Sequence, residues 1–115
     1  MMEKREIKDI AMEFAVEITA MCDDIKGRSV FVNQLLRAAS SIGANVYEAK
    51  YAQSNADFVN KMEIALKECN ESEYWLTLLF KTKSISEEIY EKYKYTCGTL
   101  RRMLVASIKT VKAKM

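Results

Sequence analysis

The stretch from Asn55 to Phe80 carries apolar residues on two sides of a predicted helix, where an ordinary surface helix carries them on one. The members of the larger stripe lie together at about 100° per residue: Phe58, Met62, Ala65, Leu66, Cys69, Leu76, Leu79 and Phe80. A second group lies roughly a third of a turn away: Ile64, Trp75 and Leu78. Glu68 and Glu71 stand between the two. The first stripe suffices to bury the helix in its own chain, so the second predicts a further partner.

The chain lacks the residues that would break up long helices. It contains no proline and three glycines in 115 residues, whereas an all-β chain of this length would need many turns. Half of the residues are apolar and three tenths are charged, which is typical of a globular protein and not of a disordered one. We therefore expect an all-α fold in one domain, residues 1–115.

Four helices follow from the apolar periodicity and from the capping residues. The predicted ranges are Glu3 to Asp23, Ser29 to about Ala52, residue 55 to an end near Phe80 to Lys83, and a last helix that starts after Ser84. Ser29, Ser54 and Ser84 are the predicted N-caps, because serine is favoured at that position. Ser54 and Ser84 also have an acidic residue three positions later, as in a capping box. With connections this short, we expect an antiparallel up-down-up-down four-helix bundle.

The second helix is rich in small residues. Gly43 in its middle costs up to about 1 kcal/mol relative to alanine, and close approach of a neighbouring helix is the simplest compensation. Asn45 and Glu48 border the apolar stripe on one side and form a polar motif at a spacing of three.

Four motifs resemble the bacterial four helix bundle protein family, which is related to proteins encoded within intervening sequences of 23S ribosomal RNA. A helix of small residues leads into N-x-x-E-A at Asn45–Ala49, and S-x-x-D-F-V follows at Ser54–Val59. The sequence then reads A-L-K-E at Ala65–Glu68 and E-S-x-Y-W-L at Glu71–Leu76. A more distant resemblance is to the accessory variability proteins of diversity-generating retroelements, which are strongly basic, whereas this chain has a net charge of only +2.

This resemblance implies an up-down bundle that assembles as a ring, commonly a homopentamer. We expect the second apolar group of the third helix to form the contact between copies, because an exposed apolar ridge is seldom tolerated and tryptophan is enriched at interfaces. The predicted interface residues are Ile64, Glu68, Glu71, Trp75 and Leu78.

Four glutamates on neighbouring helices are candidate metal ligands: Glu48, Glu68, Glu71 and Glu73. Di-iron sites in four-helix bundles combine carboxylates with histidine, and this chain has no histidine. A hard-cation site that includes Asn45 stays open as an alternative. The structural interpretation is stronger: acids at a helix interface, hydrogen-bonded to Asn45 or to an arginine of a neighbouring subunit. If Glu73 is buried, it must be paired. We therefore predict no metal ion and no cofactor.

Enzymatic motifs are missing from the sequence. It has no histidine for general-base catalysis, no nucleophile elbow and no glycine-rich phosphate loop. We therefore predict a non-enzymatic protein.

The last helix carries the charge asymmetry of the chain. From Lys92 onward there are seven basic residues and no acidic one, against eleven basic and sixteen acidic residues before it. Five of them share one side of the helix: Lys94, Arg101, Arg102, Lys109 and Lys112. This stripe could follow a nucleic-acid backbone, or it could be a solvated face that complements the helix dipole. Tyr93 and Tyr95 flank Lys94, and we expect them to pack within the protein and not to stack on bases.

Two functions from different classes remain open. One is a structural or protein-binding homo-oligomer, and the other is an RNA- or DNA-binding ring that uses the stripe of the last helix. Cys22, Cys69 and Cys97 are predicted to be buried and free, as in a reducing cytoplasm. No run is long and apolar enough to suggest a membrane span, so we expect a cytoplasmic protein without a membrane partner.

Overall fold

The structure is a computed structural model that describes residues 5–115. Its four helices are α1 (Ile7–Asp23), α2 (Ser29–Lys50), α3 (Asn55–Lys81) and α4 (Glu87–Lys112). No strand is found among the described residues. Each helix packs on the next along the chain, and α1 also contacts α4, which closes the circuit. The prediction of an all-α, up-down-up-down bundle is therefore confirmed.

Three of the four helix starts differ from the expectation, those of α1, α2 and α4. Helix α1 begins at Ile7 with Glu6 in extended conformation before it, while the predicted start at Glu3 lies outside the described residues. Helix α2 begins at Ser29, but its N-cap is Arg28, which has a left-handed φ of 58° and makes no side-chain cap. Ser29 is thus the first helical residue and not the cap. Gly27 supplies the left-handed backbone expected of it, with φ of 75°.

Ser54 caps α3 as predicted, and its hydroxyl accepts a hydrogen bond from the Asp57 backbone N–H at 3.0 Å. Ser84 does not cap α4, because it still belongs to the end of α3. Lys83 has a left-handed φ of 61°, and the Ser84 N–H donates back to the carbonyl of Leu79 at 2.8 Å. This pattern is a Schellman motif. Ser86 is the cap of α4, since its hydroxyl accepts from the N–H of Ile89.

The core runs between all four helices. Its largest fully buried apolar side chains are Phe14, Ile18, Leu35, Ile42, Leu76, Leu79, Leu100 and Leu104. The buried face of α3 is rotated from the predicted one toward Glu68 and Ser72, both of which are buried. Phe58, Leu66 and Phe80 are only partly buried as a result. One member of the second apolar group, Trp75, contacts Phe31 of α2.

The three cysteines are buried and free, as the sequence predicts. The Cys69 thiol donates to the backbone carbonyl of Cys97 at 3.3 Å, which joins α3 to α4 inside the core. Burial, with a smaller contribution from Asp23, raises the pKa of the Cys22 thiol to about 11. Such a thiol is mostly protonated at neutral pH and reacts slowly.

None of the helices in residues 5–115 combines the length and the apolar character needed to cross a lipid bilayer.

Candidate functional site

The predicted interface residues lie on one side of α3, and this side packs on α2. Ile64 is 37% exposed, whereas Trp75 and Leu78 are half-buried within the chain itself. The expected ridge of three exposed side chains is therefore wrong for two of its members. The cause is Phe31 of α2, whose ring stacks on Trp75 with centroids 6.1 Å apart and an angle of 27° between the planes.

Trp75 forms the centre of a small aromatic cluster on this side of the bundle. Tyr74 meets it edge-to-face at 5.0 Å between centroids, and the indole N–H donates to the Glu71 carboxylate at 3.4 Å. Tyr74 is itself 59% exposed. The exposed apolar or aromatic side chains of α3 are thus Ile64 and Tyr74, with the half-buried Trp75 next to Tyr74 and about three turns away from Ile64.

Arg37 of α2 holds the two central glutamates. Its guanidinium bridges Glu68 at 2.8 Å and Glu71 at 2.6 Å, and Glu68 is only 7% exposed. The hydrogen bond from Arg37 lowers the pKa of Glu71 below its ordinary value. The expected partner was Asn45 or an arginine from another subunit. The structure shows Arg37 of the same chain in place of Asn45, while a further contact to another subunit stays a prediction. Arg37 is the sole basic residue of α2 before its last turn, which was the available sequence signal.

The polar motif residues are engaged elsewhere. Asn45 donates through its amide to the Ser41 carbonyl at 2.8 Å, one turn back on α2. Glu48 is exposed and pairs with Lys61 of α3 at 3.3 Å. The structure therefore does not bring Asn45 and Glu48 into hydrogen-bonding contact with Glu68 and Glu71. Residues 5–115 contain no group of three or more His, Cys, Asp or Glu side chains placed to hold a metal ion.

Glu73 is half-buried and paired, as its position near the core requires. The partner is Arg101 of α4, whose guanidinium donates to Glu73 at 2.7 Å and to the Asn70 side chain at 2.8 Å. The Glu73 contact also raises the pKa of Arg101. Arg101 therefore ties α4 to α3 and is not a free member of the predicted basic stripe.

The other four residues of the stripe divide into two kinds. Lys112 pairs with Glu63 of α3 at 3.4 Å. Lys94, Arg102 and Lys109 are exposed, and the described part of the chain offers none of them a carboxylate partner. Lys94 lies over the ring of Tyr90 at 5.6 Å from its centroid. Three of the five predicted nucleic-acid residues are thus exposed on α4 and have no carboxylate partner among the described residues.

The two tyrosines beside Lys94 behave differently. Tyr93 is 8% exposed, packs edge-to-face on Phe14 of α1 and donates its hydroxyl proton to Glu17 at 3.3 Å. Tyr95 is 73% exposed. The expectation that both pack inside the protein is right for Tyr93 and wrong for Tyr95, because two residues of helix correspond to about 200° and place Tyr95 on the side of α4 opposite Tyr93.

Comparison with known proteins identifies close relatives. The family model for the 23S rRNA-intervening sequence protein matches residues 3–106. A crystal structure at 1.70 Å resolution, of a protein with unknown function from the S23 ribosomal protein family of Bacteroides thetaiotaomicron VPI-5482, has 44% sequence identity to this chain and a TM-score of 0.85. That match covers 90% of this chain and 95% of the other.

No curated protein matches the chain. Neither of the two names indicates an enzyme. Because the family model spans nearly the whole sequence, and because it agrees with the motifs of α2 and α3, this chain belongs to the 23S rRNA-intervening sequence protein family.

Proposed function

We propose that the protein is a non-enzymatic bundle that assembles with copies of itself into a ring and serves as a structural or protein-binding module. The family that its motifs resemble suggests five subunits for this ring. The observation that carries this proposal is the surface of α3, where Ile64 and Tyr74 are exposed and Trp75, beside Tyr74, is half-buried. An aromatic anchor with apolar neighbours is the composition of an interface centre. A ring repeats one head-to-tail contact around a rotation axis.

Ile64→Lys is the variant that tests this proposal. Ile64 is 37% exposed, so a lysine there should leave the bundle folded while it places a charge in the proposed contact. Trp75→Ala is less suitable, because it also removes the stacking on Phe31 inside the chain. Val16→Lys on α1 is the matched control, since Val16 is 60% exposed and lies outside the proposed contact.

Light scattering coupled to size exclusion gives the outcome. We expect the wild-type protein and Val16→Lys to elute as a species near five times the 13.2 kDa of one chain, and Ile64→Lys to shift toward smaller species. Circular dichroism should show the same helix content for all three. A wild-type monomer at micromolar concentration would refute the ring, and an Ile64→Lys ring of unchanged size would move the contact to another surface.

The second candidate function is nucleic-acid binding through α4. Lys94, Arg102 and Lys109 support it, because no described carboxylate neutralises them. A ring would multiply these charges and strengthen a weak field. Reversal of the three charges together should weaken binding to all sequences alike and flatten its salt dependence. Arg101 is left unchanged in this experiment, since its loss would break the ion pair with Glu73. Absence of wild-type binding at low salt would remove this candidate.

A further inference from the structure

We propose that the open face of α4 binds single-stranded nucleic acid, with the Tyr95 ring stacked on an unpaired base and the Arg102 guanidinium on a phosphate. This inference rests on the second candidate function above and names the class of nucleic acid and the two residues that would select it. The open face of α4 is defined here as Lys94, Tyr95, Thr99, Arg102 and Lys109.

Among the described residues, Arg102 makes one side-chain hydrogen bond, within α4. Its guanidinium folds back along α4 and donates to the Thr99 hydroxyl at 3.3 Å. It also lies over Gly98, where an added Cβ would be 3.5 Å from its Nη1 atom. A guanidinium has five N–H donors, and the bond to Thr99 occupies one. The remaining four donors suit the oxygens of a phosphate.

Tyr95 lies on the same side of α4 as Arg102, two helical turns earlier. Seven residues of helix separate the two by about 10 Å along the axis. Tyr95 is the most exposed tyrosine of the chain, at 73%. An exposed ring can stack on any base, because every base has a flat aromatic face. Lys94 beside it and Lys109 further along α4 continue the positive charge in both directions.

The combination favours a single strand over a duplex. In a duplex each base is already stacked on its neighbours, so a tyrosine ring gains access only if the helix opens. A row of cations with an exposed aromatic ring is the pattern that single-strand binding proteins use without sequence preference. The preceding residue, Arg101, offers no comparable charge, since Glu73 neutralises it and two of its five donors are engaged by Glu73 and Asn70.

The structure supplies a matched control for each residue. Tyr51 is 65% exposed at the end of α2, so Tyr51→Ala removes an equally open ring from another surface. Lys112 is on α4 but is paired with Glu63, so Lys112→Gln removes the same charge as Arg102→Gln from a residue that is already neutralised. All four side chains reach solvent, so the variants should keep the fold, which circular dichroism verifies.

The experiment measures the fluorescence anisotropy of labelled oligouridylate of about 20 nucleotides and of a duplex of equal length, a span of one or two single-strand sites. We expect wild type to bind the single strand more tightly than the duplex. Tyr95→Ala should weaken single-strand binding about tenfold, from the loss of one stacked base, while Tyr51→Ala leaves it unchanged. Arg102→Gln should lower the slope of log affinity against log salt by about one, and Lys112→Gln by less.

Three results would overturn the inference, and they are distinguishable. Equal affinity for the duplex and the single strand would refute the selectivity while nucleic-acid binding stands. Binding by Tyr95→Ala as tight as that of wild type, or equal losses in Tyr95→Ala and Tyr51→Ala, would refute the role of Tyr95. If wild type binds neither probe at low salt, the second candidate function fails and the inference fails with it.

Discussion

Arg37 is the residue around which the polar part of the α2–α3 contact is arranged. The sequence marks Glu68 and Glu71 as interface acids, because both lie between two apolar groups of one helix. It does not reveal their partner, since a helical wheel orders the residues of one helix and says nothing about which side chain of another helix meets them. The one sequence signal was that Arg37 is the sole basic residue of α2 before its last turn, and the packing of α2 on α3 identifies it as the partner.

Replacement of Arg37 by methionine should destabilise the protein markedly. It would leave the Glu68 carboxylate buried without a cation, which costs about 1 to 3 kcal/mol in the free energy of unfolding. Lys61→Met is the control, because it breaks the exposed pair with Glu48 and should cost less than about 1 kcal/mol. Urea unfolding measures both values. Addition of Glu68→Gln to Arg37→Met should restore part of the loss, and equal costs for the two single variants would contradict this account.

The same contact predicts a loss of stability in acid. The pKa of Glu71 in the folded protein lies below its ordinary value of 4.5, chiefly because Arg37 donates to it. The unfolded chain therefore takes up the proton first as the pH falls. The stabilisation is complete above about pH 4.5 and is lost as the pH drops through the folded pKa. The urea midpoints of wild type and Arg37→Met should converge below pH 4.5, and a constant gap would exclude this origin.

At the level of the elements, the sequence predicts the helices better than their ends. Apolar periodicity locates all four, because burial of one face dominates helix formation in a protein. The end of α3 at Lys81 falls within the predicted range of Phe80 to Lys83, but the predicted cap of α4 lies two residues too early, because Lys83 adopts a left-handed backbone that usually belongs to glycine. With a lysine at that position, nothing in the sequence separates the end of α3 from the cap of α4.

The reassigned cap gives a direct test. Ser86→Ala should cost about 1 kcal/mol, because the Ile89 N–H loses its acceptor. Ser84→Ala should cost clearly less, since the backbone hydrogen bond of Ser84 to Leu79 survives the change. Urea midpoints of the two variants decide between the caps, and a larger loss for Ser84→Ala would restore the original prediction.

Gly43 offers a second test at the level of the helices. Ala11 of α1 does approach it, as expected, but an added Cβ would lie 3.6 Å from the Ala11 Cβ, an ordinary contact distance. The close approach therefore does not require glycine. Gly43→Ala should raise the free energy of unfolding by up to about 1 kcal/mol. Gly27→Ala should lower it, because φ at Gly27 is 75°. A loss of stability in Gly43→Ala would show that α1 and α2 cannot accommodate the methyl group.

For the whole molecule, the bundle could be predicted from the sequence, whereas its outer contacts could not. The order of the helices and their short connections leave few alternatives to an up-down arrangement. The wheel of α3 correctly gives two apolar groups but cannot say whether a neighbouring subunit or Phe31 covers the second one. The structure shows that Phe31 covers Trp75, whereas Ile64 and Tyr74 of α3 stay exposed.

The arrangement of the helices also has a consequence for synthesis on the ribosome. Three of the four helix contacts join elements that follow each other in the chain, so each helix can dock on the previous one soon after it emerges. The contact between α1 and α4 is different, because Phe14 of α1 packs on Tyr93, which is synthesised 79 residues later. During translation the face of α1 that carries Phe14 therefore lacks its packing partner until α4 has left the exit tunnel. In a nascent chain of this protein, α1 is thus the helix whose apolar face is exposed for the longest time.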